Sequence, residues 1–191
     1  MRNYERANMK GLTFLTAIVA VVVFAGACGL MGGGSGVTVT YDGNSESVEA
    51  KDSRVFAHTI GDSVAHTFVI ANYDLPEKLD RRSAFKSAKE DGQKRVEFTI
   101  IGDKGTSENT PIKPGEYPAR VGNVGSPAGT SNGGKIAFNK EGKEDSEGLN
   151  LADMKEGKVV IESVESGTVK GTVDITDGDT TIKGSFTAKA G

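Results

Sequence analysis

The chain has 191 residues, 23 Lys+Arg against 26 Asp+Glu, and a formal net charge of -3. Mild acidity of this kind favours solubility and argues against nucleic acid as a partner, because nucleic-acid binding needs clustered cations. A single cysteine leaves no internal disulfide, so the fold must rest on its core, and 26 glycines, no tryptophan and short runs of Val and Thr read as an all-β chain rich in turns.

The first stretch concerns location. Arg2, Arg6 and Lys10, with Glu5 among them, precede an uncharged and mostly apolar run over residues 12–24. The run ends in Ala25-Gly26-Ala27-Cys28, and Cys28 is the only cysteine. A basic head, an apolar middle and a small-residue exit make a secretory signal. These residues resemble the lipobox of bacterial lipoproteins, in which the cysteine is lipidated and becomes the mature N-terminus. The resemblance implies a signal peptide over residues 1–27 and a lipid on Cys28. It also implies an exported domain tethered on the periplasmic or cell-surface side of a membrane. Gly29 after the cysteine, in place of Asp, implies the outer membrane where the host has two. Two other readings of the same residues stay open. Ala25-Gly26-Ala27 also fits the cleavage rule for ordinary secretion. Residues 11–31 are 21 positions without a charge, and a helix of that length, ~31 Å, spans a bilayer uncleaved.

Residues 28–36 follow the signal as a lipidated N-terminus and a Gly-rich linker, whose reach is on the order of 16 Å. The remaining residues, 37–191, suffice for a single β-rich domain with an adequate core. Within it, residues 37–41 alternate cleanly and Asp42-Gly43 supplies a turn. Residues 54–60 and 64–73 are strand candidates parted by Gly61-Asp62. Residues 75–92 change character: Asp74 can cap, Pro76 suits a helix start and Gly92 a helix end, so a short surface helix is expected. Lys78, Arg82, Lys86 and Lys89 would share one face of it, either as a solvated surface or as a contact for anionic headgroups.

Strand signals resume at residues 95–101, with Val96, Phe98 and Ile100 inward and Arg95, Glu97 and Thr99 outward. Pro114-Gly115 marks a turn before a strand over residues 117–121. Residues 122–134 read as a loop, 135–139 as a short strand and 140–157 as a long charged connection. At the C-terminal end, a two-residue turn at Asp177-Gly178 places Val173 opposite Ile182, Gly171 opposite Gly184 and Val169 opposite Phe186. A turn at Glu165-Ser166-Gly167 adds a third strand, with Ile161 opposite Gly171 and Val159 opposite Val173. Phe98 or Phe138 is expected to fill the gap left by Gly171 and Gly184.

Chemistry-bearing patterns are sparse. Gly61-Asp62-Ser63 resembles the opening of the GDSL-type hydrolase motif, which implies Ser63 as nucleophile and His58 or His66 as its base. The better reading of the same three residues is a turn between strands. His58, His66 and Asp74 lack the spacing of a metal site, and Asp174, Asp177 and Asp179, or the acidic run 141–147, offer oxygens to calcium without a binding-loop pattern. No cofactor, metal or catalytic constellation is expected. The Gly/Ser/Pro-rich loop 122–134 and the neighbouring Tyr117 are the candidate ligand contact, because loops on a rigid sheet carry recognition, although Tyr117 reads more readily as a core tyrosine at a strand start.

The fold class expected is all-β, an antiparallel sandwich or flattened barrel of roughly eight to ten strands with one short helix. The functional expectation is a membrane-tethered envelope lipoprotein acting as a binding or structural module without catalysis. Its partner would be an envelope protein, a glycan or a small molecule. A lipocalin-like carrier of an apolar ligand is the alternative, and a serine hydrolase at Ser63 a remote one.

Overall fold

The computed structural model describes residues 35–79, 87–120, 125, 127–150, 153–154 and 156–190. The chain divides into two units, Met1–Gly32 and Gly33–Gly191, and all described residues fall in the second. That unit is built from β1 (Gly36–Tyr41), β2 (Asn44–Glu49), β3 (Asp52–Ile60), β4 (Ser63–Ala71), β5 (Lys94–Lys104), β6 (Gly115–Pro118), β7 (Ser131–Lys140), β8 (Lys143–Gly148), β9 (Glu156–Glu165), β10 (Thr168–Thr176) and β11 (Thr181–Ala190). Three of the connections are two-residue turns with both residues at positive φ: Asp42-Gly43, Glu141-Gly142 and Ser166-Gly167. This geometry matches the twist of the flanking strands and needs Gly, Asn or Asp-like residues to be adopted cheaply.

The strands form one continuous mixed sheet in the order β6-β9-β10-β11-β3-β4-β5-β7-β8, with β1 added to β11 and β2 to β1. Every ladder is antiparallel except β11–β3, which is parallel and only two pairs long, Lys189 with Arg54 and Ala190 with Val55. The expected all-β class is present, but its details differ. There is one curled sheet of eleven strands, not closed into a barrel. An isolated bridge between Ala119 and Ser131 brings the end of β6 beside β7 without a ladder. The described parts of the expected helix, residues 75–79 and 87–92, are not helical, and residues 80–86 lie outside the described residues.

Curling lets one face of the sheet bury itself. Val37, Val39, Val159, Val173, Ile175 and Ile182 from one flank meet Phe68, Ile70, Val96, Ile100 and Ile136 from the other in a single core. Phe186 of β11 reaches Phe68 and Phe98, with ring centroids 4.8 and 5.1 Å apart. Phe68 and Phe98 stack at 5.0 Å. Such ring pairs contribute roughly 0.5–1.5 kcal/mol each beyond their area.

The C-terminal register departs from expectation by two residues. Thr176 pairs with Thr181, so Val173 faces Gly184, Gly171 faces Phe186 and Val169 faces Ala188. The reason is Asp177. Its carboxylate accepts backbone N–H bonds from Thr180 (2.7 Å), Asp179 (3.0 Å) and Asn150 (2.6 Å), which stabilises a four-residue loop over the two-residue turn. Burial raises the Asp177 carboxyl pKa, but those N–H groups outweigh it and hold it below the ordinary value. A shift of two preserves facing, so the inward set is the one expected. The group over Gly171 is Phe186 itself, which sits in contact with Phe98. On the other side, Ile161 does face Gly171 and Val159 does face Val173, because a bulge after Lys170 absorbs one residue.

Candidate functional site

The two faces of β4 are both covered, and all nine of its residues are buried. Phe68 and Ile70 point into the main core, so Ala65, Thr67, Val69 and Ala71 point to the opposite, outer face. Pairing registers lay out that outer face in rows across the strands. His58, Ala65 and Ile101 form one row, Phe56, Thr67 and Thr99 the next, and Arg54, Val69, Glu97 and Lys135 a third.

Part of this face is covered. Tyr73, Leu75 and Ala88, with Leu79 beside them, pack on Phe56, Val69 and Ala71 as a second apolar cluster. Arg54 holds the covering segment by donating to the Pro76 carbonyl at 2.7 Å, and Asp52 accepts the Leu75 N–H at 3.1 Å. The Tyr73 and Ser87 hydroxyls share a 2.6 Å hydrogen bond.

Next to the cluster lies a buried ion network. Arg95, expected on a wet face, has 0% of its surface exposed. Its Nε donates to Glu97 at 2.7 Å, and its two terminal nitrogens fork onto Glu144 at 2.6 and 2.9 Å. Burial works against the guanidinium charge, but hydrogen bonds to Glu144 and the charge of Glu97 more than offset it, so its pKa is raised. Glu144 also accepts the Ala88 N–H at 3.0 Å, and Asn139 donates to the Ala88 carbonyl at 3.0 Å. Lys135 Nζ stands 3.7 Å from Glu97.

The rest of the outer face is a cleft of about 490 Å³. Phe56, Ile60, Ala65, Ile101 and Leu149 give it an apolar lining, and His58 lies at its β3 side. Thr67 and Thr99 satisfy each other across the floor at 2.9 Å. Its charged wall is Glu97 and Lys135. Lys135 also borders a second groove of about 770 Å³, shared with Lys89, Asn139, Lys143, Glu144 and Ser146. By contrast, the small cavity on the inner side, bounded by Val64, His66, Ile112 and Tyr117, holds about 20 Å³.

The residues singled out in the sequence fall elsewhere. Cys28, Arg82 and Lys86 lie outside the described residues. Tyr117 is inward on β6, 9% exposed, and its hydroxyl donates to the Lys113 carbonyl at 2.9 Å. Burial foremost, with the charge of Asp103, raises its pKa. Ser63 is buried at the start of β4, directly after a turn at Gly61-Asp62, and its hydroxyl bonds to Asp62 at 3.3 Å. His66 faces inward and His58 outward, so the two histidines sit on opposite faces of the sheet. Burial chiefly, and His58 nearby, lowers the His66 pKa to about 4. Asp74 pairs with Lys51 at 2.7 Å, and Asp174 with Lys183 at 2.7 Å. Among the described residues no three His, Cys, Asp or Glu side chains converge on a metal-sized point. Comparison with protein-family models, with curated proteins and with solved structures returns no match.

Proposed function

We propose that the chain is an exported, membrane-tethered lipoprotein whose β domain binds a small molecule and catalyses nothing. The observation that carries the binding half is the outer-face cleft. Its volume lies within the range of small-molecule sites, and it combines an apolar lining with a few polar groups. The tether half rests on the Ala25-Gly26-Ala27-Cys28 sequence. In this reading His58, Ile60 and Thr99 contact the ligand, and Tyr117 supports the domain from its core. An enclosed carrier draws little support, because Phe68, Phe98 and Phe186 fill the interior where its ligand would sit.

Each half has its own test. Cys28→Ser should abolish palmitate labelling and leave an unprocessed precursor in the membrane; unchanged processing and release would mean ordinary secretion. Protein purified from its native envelope should carry a small molecule detectable by native mass spectrometry, and Ala65→Phe, which fills the cleft, should lose it. Ester turnover by the wild type that disappears on Ser63→Ala would replace binding with catalysis.

A further inference from the structure

We infer that the segment over residues 105–114 is an acid-lifted cover. It seats over His66 on the inner face of β4 while the imidazole is neutral, and it opens when the imidazole takes up a proton, the sheet itself staying folded. The starting observation is a buried titratable side chain that nothing holds. His66 is 5% exposed, and among the described residues no hydrogen bond or ion pair reaches its ring. It borders a space of about 20 Å³, closed by Thr106, Thr110, Ile112 and Lys113 of the segment and by Tyr117 of β6. Such a space has room for about one water molecule, too little to hydrate a cation.

The charged and titratable groups around the ring offer no substitute for water. Asp103 of β5 is paired with Lys113 of the segment at 2.6 Å. The Tyr117 hydroxyl is given to the Lys113 carbonyl. Glu108 turns to β3, where it accepts the Thr59 N–H at 3.1 Å. His58, also on β3, works against a charge on His66. An imidazolium buried without a partner is penalised far more than the neutral ring. A proton on His66 therefore favours any arrangement that lets water in.

The segment can give way before the sheet does. Gly105 and Gly115, both at positive φ, bracket it. A Cβ at either would meet nothing within 4 Å, so backbone freedom and not space calls for glycine there. Between them only Ile112 is buried. Its ties to β4 and the turn before it are a few hydrogen bonds. The Gly105 N–H donates to the Asp62 carbonyl at 2.7 Å, and the Thr106 hydroxyl accepts the Val64 N–H at 3.0 Å. β10 and β11, by contrast, are laddered on both sides. Elements with few buried apolar contacts open at lower free energy than core strands.

The test is residue-resolved hydrogen exchange on the full chain at neutral pH and at about pH 5, corrected for the intrinsic effect of pH on exchange. Carboxylates of ordinary pKa stay ionised across that window, so the two histidines are the side chains that titrate in it. Exchange of the Gly105 and Val64 amides should rise on the order of tenfold on acidification, because the open form binds the proton first. β10 and β11 should stay protected. His66→Gln should flatten the rise, and His58→Gln should leave it in place. Ile112→Ala, which loosens the cover, gives a check that keeps the histidine. It should speed exchange at Gly105 already at neutral pH and move the His66 imidazole, followed by NMR titration, from about 4 toward 6.5. An equal rise in β10 and β11 would mean global unfolding and overturn the inference. So would a Gly105 amide indifferent to pH, a rise that persists in His66→Gln, or a His66 titration unmoved by Ile112→Ala.

Discussion

The inner and outer faces of β4 are equally dry, yet they are held by different physics. The inner face is a close-packed aromatic and aliphatic core in which Phe68 meets Phe98 and Phe186. The outer face changes along its length from an apolar patch to an ion network to open cleft. A core of the first kind specifies shape by volume. A surface of the second kind specifies which charges must be present together, and it leaves room for something not part of the chain.

The sharpest way to break this contrast is to remove one element from each face. Arg95→Ala should cost roughly 3–5 kcal/mol in denaturant titrations, because buried Glu97 and half-buried Glu144 lose the guanidinium that holds both. Phe186→Ala should cost a similar amount, roughly 3–5 kcal/mol, through cavity formation. The two differ in rescue: replacing Arg95, Glu97 and Glu144 together by Met and Leu should recover most of the first loss. If the triple variant stayed as unstable as Arg95→Ala, the outer network would be a packing element like the inner core.

Smaller effects test the faces separately. On the inner side a Cβ at Gly171 would overlap the Val160 carbonyl oxygen and reach 2.8 Å from the Phe186 ring. Gly171→Val should therefore lower stability by roughly 1–3 kcal/mol, and Thr172→Val, facing away, by under about 0.5 kcal/mol. Equal melting shifts for the two would refute the register. His66 gives the inner face a pH signature. Its folded pKa is about 4 against 6.5 for the free side chain, so between those values the unfolded chain binds the proton first. Stability present above pH 6.5 should fall as pH drops toward 4, by on the order of 1–2 kcal/mol allowing for solvent screening. A His66→Gln variant with the same pH slope would assign the effect elsewhere. Smallest is the cleft floor. Thr67→Val should cost about 1 kcal/mol by stranding the Thr99 hydroxyl, and the double Thr67→Val, Thr99→Val variant less than the single.

What the sequence made legible follows the same division. Alternating Val, Ile and Phe announced β1, β5 and β9 to β11 and the residues they bury, since one buried face imposes a period of two. β2 and β8, with NSESVE and KEDSEG, went unread because edge strands carry charge instead of an apolar alternation. β7 begins at Ser131, four residues earlier than expected, because its first turn is SNGG and reads as loop. The outward set Arg95, Glu97 and Thr99 was correct in facing but not in environment. Nothing local says that Glu144 of β8 comes to fork onto Arg95 or that the segment around Tyr73 and Ala88 returns to this face. The cleft was invisible for the same reason: Phe56, Ala65, Ile101 and Lys135 are neighbours only through the order of four strands.

The two-pair parallel junction between β11 and β3 has a consequence for timing. β11 alone contacts the β10 ladder, the β1 strand and the start of β3, so it is the seam between the two flanks of the sheet. The residues that make that seam, Lys189 and Ala190, lie at the far end of the last strand. The β11–β3 ladder cannot form before those residues have been synthesised, whereas the Ala119–Ser131 bridge can tie the flanks earlier. Pairings of such long sequence separation are slow to form and leave strand edges exposed meanwhile. A chain made from its N-terminus therefore keeps this one ladder open until β11 is complete.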